Sequence, residues 1–151
     1  MATFDLTLQE DIKNALRAGE SEKLGTLRML LTDVRNKAIE LRRDVEEPEF
    51  LALVQKAIKQ RREAADQFEA GDRLELAEKE MREAVFLDAY LPDQLSDDEI
   101  RGHVAAYVSE QGLEGPAAIG IVMKEMLQRF SGSADGASIN RIAREILSPP
   151  D

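Results

Sequence analysis

The chain has 151 residues, thirty acidic side chains against twenty basic ones, a net charge of −10, one histidine and no cysteine. That length supplies one good core or two small ones without metal or disulfide support, and the missing cysteines exclude disulfides, thiolate nucleophiles and cysteine-ligated zinc or iron–sulfur sites. A single histidine excludes His-rich metal sites, and the acidic balance excludes nucleic-acid binding by overall charge, so any such binding must be local.

The start, MATFDLTLQEDIK, lacks the basic residues, apolar run and small-residue cleavage site of a secretory signal. No apolar stretch approaches the roughly 20 residues that a membrane span needs, so a cytoplasmic protein without membrane attachment is expected. Thr7-Leu8-Gln9-Glu10 has the pattern of a capping box and predicts a first helix that Gly19 ends, with Leu8, Ile12, Ala15 and Leu16 on one stripe. A second helix is expected from Ser21 to about Arg43. Its Leu24, Leu27, Leu31, Val34, Ala38 and Leu41 recur at spacings of three and four, the face of an antiparallel bundle.

Pro48 stands where a first-turn proline is tolerated and opens a third helix. Leu51, Val54, Ile58, Ala65 and Phe68 form its stripe, with Arg61 on the same register. Gly71-Asp72 is a short turn, so the helix that follows should return antiparallel, turning Leu74, Ala77, Met81 and Ala84 inward together with Val85 and Leu91. Asp88 falls on that register too. An unpaired buried carboxylate is costly, so it must be solvated at the helix end or paired, and Arg61 is one available partner.

Tyr90-Leu91-Pro92 is a hard stop, because proline removes a helix hydrogen bond and biases the residue before it away from helical geometry. Ser96-Asp97-Asp98-Glu99 is then a capping box with acids at the positive end of a helix that runs to about Gly112. Gly115-Pro116 opens another, with Ile119, Val122, Met123, Met126, Leu127 and Phe130 apolar. The last follows the loop Ser131 to Gly136, with Ser138 as its expected cap and Ile139, Ile142, Ala143, Ile146 and Leu147 facing inward. The expected architecture is all-α and in two parts: an N-terminal bundle of long helices over 1–92, a small three-helix domain over 93–148, and a tail at 149–151. Fifteen bases and twenty acids precede the division and five and ten follow it, so neither part is a basic module.

Catalytic signatures are missing. His103 follows Gly102 inside a helix with no Ser or Cys elbow near it, and reads as a surface or edge histidine. The chain is so rich in carboxylates that chance accounts for any acid–base pair. No Glu-x-x-His motif for a helical di-metal site occurs, and Gly112, Gly115 and Gly120 fit neither the Walker nor the dinucleotide pattern. No cofactor, metal or catalytic residue is expected, and a non-enzymatic role leads.

Basic clusters are the better candidates. Lys56, Lys59, Arg61, Arg62 and Arg73 gather around the third helix and its turn, readable as a phosphate-facing patch or as ordinary pairing with Glu63 and Glu69. Lys124, Arg129, Arg141 and Arg144 flank the Ser131 to Gly136 loop, whose small residues would let backbone amides approach a phosphate or sugar, or would simply turn the chain.

Several segments carry a resemblance: Leu27-Arg28-Met29-Leu30-Leu31; Lys59-Gln60-Arg61 with Phe68, Gly71 and Arg73; Tyr90-Leu91-Pro92 with Gln94-Leu95-Ser96; Gly120-Ile121-Val122-Met123; and Ala134-Asp135-Gly136 with Ile139-Asn140. In this order and spacing the chain resembles the YqeY family, stand-alone relatives of the tail region of the GatB subunit of the tRNA-dependent Asp/Glu amidotransferase. That resemblance implies a two-part helical protein and RNA contact rather than ligase chemistry, with Lys124, Arg129, Asp135, Gly136, Asn140, Arg141 and Arg144 as RNA-binding candidates and the third-helix basic residues as a secondary patch. The implied partners are tRNA, a tRNA-handling enzyme or the amidotransferase itself; neither DNA nor a membrane is expected. A protein–protein adaptor is the alternative. Assignment as a carbon–nitrogen ligase with glutamine as amido-N-donor would rest on that homology alone.

Overall fold

A computed structural model describes residues 3–148; the expected tail at 149–151 lies outside them. All regular structure among the described residues is helical: α1 (Thr3–Ala18), α2 (Ser21–Leu41), α3 (Glu47–Ala70), α4 (Leu74–Asp88), α5 (Asp97–Gln111), a 3-10 turn (Pro116–Ala118), α6 (Ile119–Arg129) and α7 (Gly136–Leu147). Two compact units divide between Leu91 and Pro92.

In the first unit α1 begins a full turn earlier than its sequence suggests. Thr7 is not its cap: the hydroxyl donates back to the Thr3 carbonyl at 3.0 Å, as a threonine inside a helix does. Gly19, at φ +72°, closes the helix in the left-handed conformation that costs glycine least. Leu8 and Ala15 are buried and Ile12 packs against the core, but Leu16, expected with them, is exposed. In α2, Arg42 takes the left-handed cap and donates its N–H to the Ala38 and Ile39 carbonyls, so the helix stops at Leu41 rather than near Arg43.

Glu46 and Glu49 form a reciprocal capping box on α3, with Pro48 in the first turn. Arg43 grips both Glu49 carboxylate oxygens at 2.7 Å. That bidentate bond, helped by the Glu46 N–H, lowers the Glu49 pKa to about 2. At the α3–α4 turn the left-handed residue is Asp72 (φ +59°) rather than Gly71, a conformation that aspartate tolerates better than most side chains. Leu8, Leu27, Leu30, Val34, Phe50, Val54, Ile58, Ala84 and Leu87 make the core of this unit. Phe4 stacks on Phe50 with centroids 4.3 Å apart, and the Tyr90 ring meets Phe50 edge-on at 5.9 Å. The Tyr90 hydroxyl donates to Asp11 at 2.5 Å, which ties the end of the unit back to its first helix.

The second unit starts from the Ser96 cap. Its Oγ accepts the Glu99 N–H at 3.1 Å, and Glu99 reaches back to the Ser96 N–H at 3.4 Å. Ser96→Ala is expected to cost about 1 kcal/mol by removing this cap, measurable as a shift in urea midpoint; an unchanged midpoint would refute the role. Ser138 is not a cap. It sits inside α7, and Asp135 occupies the N-cap position without a side-chain bond. Ile100, Val104, Ala118, Val122, Met126, Ala134, Ile139, Ile142, Ala143 and Leu147 enclose the core, whereas Leu127, expected there, is exposed.

Candidate functional site

α7 places Asn140, Arg141 and Arg144 within one helical turn, so Arg144 lies over Asn140. Its Nε donates to the Asn140 Oδ1 at 2.8 Å. The partner is neutral, and no carboxylate lies within 4 Å of the Arg144 guanidinium among the described residues. Arg141 is already engaged: it meets Asp97 at 2.8 Å and Glu145 at 3.6 Å, and the hydrogen bond it donates to Asp97 raises its pKa. Arg129, the last residue of α6, binds Glu125 at 2.8 Å and lies 5.2 Å from the Tyr107 ring centroid. Lys124 is exposed on α6 and takes part in no ion pair among the described residues.

The loop between α6 and α7 spends two of its amides on its own turn. The Ser133 and Ala134 N–H groups both donate to the Phe130 carbonyl, at 2.9 and 3.1 Å. The Ser133 carbonyl accepts the Leu95 N–H at 2.8 Å, and the Gly132 carbonyl accepts the Gln94 amide at 2.5 Å. These amides and carbonyls are committed to turning the chain and holding the segment after Pro92. Gly136 opens α7, and Asp135 is exposed beside it. His103 is exposed, its ring 4.6 Å from that of Phe130.

On α3, Lys56, Lys59 and Arg62 are exposed, as is Arg73 just before α4. None forms an ion pair among the described residues, so the expected pairing with Glu63 and Glu69 is not made. Arg61 departs from this set. Its exposure is only 7%, its Nε faces Glu83 Oε2 at 3.3 Å, and its NH1 donates to the Ala57 carbonyl. The partner is therefore Glu83, not Asp88, which is exposed at the end of α4. Asp88 stays in water because hydration there costs nothing, while Glu83, five residues earlier and about 140° around the helix, sits beside the guanidinium.

The other departure is on α4. Leu74, Met81 and Val85, expected inside, are 55%, 45% and 64% exposed. With Ala65 and Ala77 they line a groove of about 700 Å³ between α3 and α4, bordered by Asp66, Glu69, Glu78 and Arg82. A smaller cleft of about 230 Å³ between α2 and α3 is lined mainly by polar side chains, among them Asp33, Lys37, Glu40 and Lys56. No group of three or more His, Asp or Glu side chains placed to hold a metal occurs among the described residues.

The family model described as Yqey-like protein matches residues 6–147. The chain belongs to the YqeY family. A relative from Pyrenophora tritici-repentis, named "Altered inheritance of mitochondria protein 41, mitochondrial", is 26% identical over 144 residues, covering 93% of this chain and 78% of its own. Relatives of the same name from Eremothecium gossypii and Lachancea thermotolerans are 30% and 31% identical, covering 68% and 73% of this YqeY chain. This chain spans 58% and 60% of the lengths of those two relatives. The expectation of a cytoplasmic protein is overturned by these relatives, which bear mitochondrial names. An apolar-run criterion is blind to this compartment, because mitochondrial leaders are amphipathic, Arg-rich segments without an apolar core. Among the described residues no helix is long and apolar enough to cross a membrane.

Proposed function

We propose that this YqeY-family chain is a non-catalytic accessory of tRNA handling, such as tRNA-dependent amidation, and that its C-terminal unit contacts tRNA phosphate. The observation that carries this reading is the exposed guanidinium of Arg144, oriented by the neutral Asn140 rather than cancelled by a carboxylate. An arginine held in this way keeps its full charge and part of its donor fork for a phosphate, at a reduced entropic cost. Lys124 adds a second uncompensated cation. Arg141 and Arg129 contribute less, since each would have to release Asp97 or Glu125 first. Lys56, Lys59 and Arg62 on α3 form the secondary patch. With so few cations, binding is modest and its dependence on salt is correspondingly shallow.

Anisotropy of labelled tRNA across a salt series tests this. Reversing both Arg141 and Arg144 to Glu is expected to abolish binding at physiological salt while leaving the helical signal intact. Arg144→Gln is expected to lower the slope of log K against log salt by about one, the signature of a lost phosphate contact. Arg141→Gln should change it less. Affinity unchanged in the double reversal would discard the site.

A further inference from the structure

The core of the first unit involves α3 from Phe50 to Ile58 and α4 only at Ala84 and Leu87. The half of the hairpin nearer the Gly71-Asp72 turn lies outside that core. There α4 shows two faces. Ala77 is buried, while Leu74, Met81 and Val85 stand on an open side. At 3.6 residues per turn these three lie within about 40° of one another, a single stripe about 16 Å long. Large apolar side chains concentrated in one groove, rather than scattered singly, mark an interaction surface.

The rim fixes the chemistry of what would fit. Asp66, Glu69 and Glu78 border the floor, and none of the three is in an ion pair among the described residues. Arg82, the one cation on the rim, is already neutralised by a bidentate pair with Glu22, at 3.0 Å on both contacts. An apolar floor between unpaired carboxylates repels RNA and anionic lipid. It also disfavours a second copy of a chain whose net charge is −10.

We propose that this groove docks a cationic amphipathic helix of about three turns presented by a protein partner. Leucine-sized anchors at i, i+4 and i+7 would run along Leu74, Met81 and Val85, with Lys or Arg on either flank reaching Asp66, Glu69 and Glu78. Met81, unbranched and polarizable, adapts to such anchors. The groove lies on a different unit from Arg144 and does not depend on RNA contact.

The probe is a fluorescein-labelled synthetic Leu/Lys helix with leucines at that spacing, titrated with the full chain at physiological salt. A scrambled peptide of the same composition and a Glu-flanked version serve as controls. The Lys-flanked helix is expected to bind best. Met81→Ser with Val85→Ser is expected to weaken it at least about tenfold, with an unchanged thermal melt because both side chains are exposed. Asp66→Lys with Glu78→Lys is expected to shift preference to the Glu-flanked helix, a readout that a merely damaged fold would not give. Equal binding of the scrambled peptide, or affinity indifferent to the serine substitutions, would overturn the proposal. A concentration-dependent dimer lost in the serine variant would overturn it in favour of a second copy as the occupant.

Discussion

Replacing Glu83 by alanine is expected to cost about 3 kcal/mol of folding stability, the lower end for breaking a buried ion pair. Arg61 would then keep a buried positive charge with, among the described residues, only the Ala57 carbonyl and the Met29 sulfur as hydrogen-bond acceptors, at 3.3 and 3.5 Å. Its Nε has no hydrogen-bond partner among the described residues even now, since it faces Glu83 without the alignment such a bond requires. The pair is also a poor bargain from the other side. Burial first, and the charge of Glu80 second, raise the pKa of Glu83 above its ordinary value against the pull of Arg61 and Lys79. A folded pKa above the unfolded one means the native state binds this proton more tightly. The contribution of this group to stability is therefore present at low pH and declines as pH rises from the ordinary glutamate range through the pKa of Glu83. It follows that Arg61→Met with Glu83→Leu should recover stability to within about 1 kcal/mol of the parent or exceed it. Urea denaturation of the two singles and the double closes the cycle. A Glu83→Ala variant within about 0.5 kcal/mol of the parent would show that Arg61 reaches water unaided.

The helices were legible wherever one residue dictates backbone geometry. Pro48, Gly19, Gly112 and the Ser96 box end or begin elements where their chemistry requires it. Thr7 and Ser138 misled because a hydroxyl three residues before a glutamate, or near a helix start, serves equally well inside the helix, and backbone dihedrals decide between the two. Arg61 was legible as an inward residue but its partner was not. Asp88 lies on the same register as α4's expected face, and periodicity cannot tell the side of a helix end that meets water from the side that meets a guanidinium. For the candidate interface, the sequence located the cations but not their compensation. That Arg141 is held by Asp97, 44 positions away, depends on how α5 and α7 pack. That the Gly132 and Ser133 carbonyls between α6 and α7 are already used depends on where Gln94 and Leu95 dock. The groove was hidden for a related reason: the apolar pattern of α4 covers more of the helix than its neighbours bury.

The same helix supplies the second large expected effect, in which Leu87→Ala and Met81→Ala differ sharply. By spacing, Met81 belongs with Leu74, Ala77 and Ala84 on an inward face, and Leu87 does not. In the structure Leu87 is fully buried in the core of the first unit and Met81 stands in the open groove. At 100° per residue Leu87 lies about 140° from Leu74, so α4 is turned to bury the side of Ala77, Ala84 and Leu87. The small alanines account for that rotation: they let antiparallel helices approach closely, which larger Leu74, Met81 and Val85 side chains at the contact would prevent. Leu87→Ala therefore removes fully buried methyl groups and leaves a cavity, at an expected cost of about 3 kcal/mol. Met81→Ala removes exposed atoms, with an expected change within about 0.5 kcal/mol. Both are read as shifts in urea midpoint at constant m-value. The reverse ranking would place the buried face of α4 where simple periodicity puts it, and the groove would then not exist in solution.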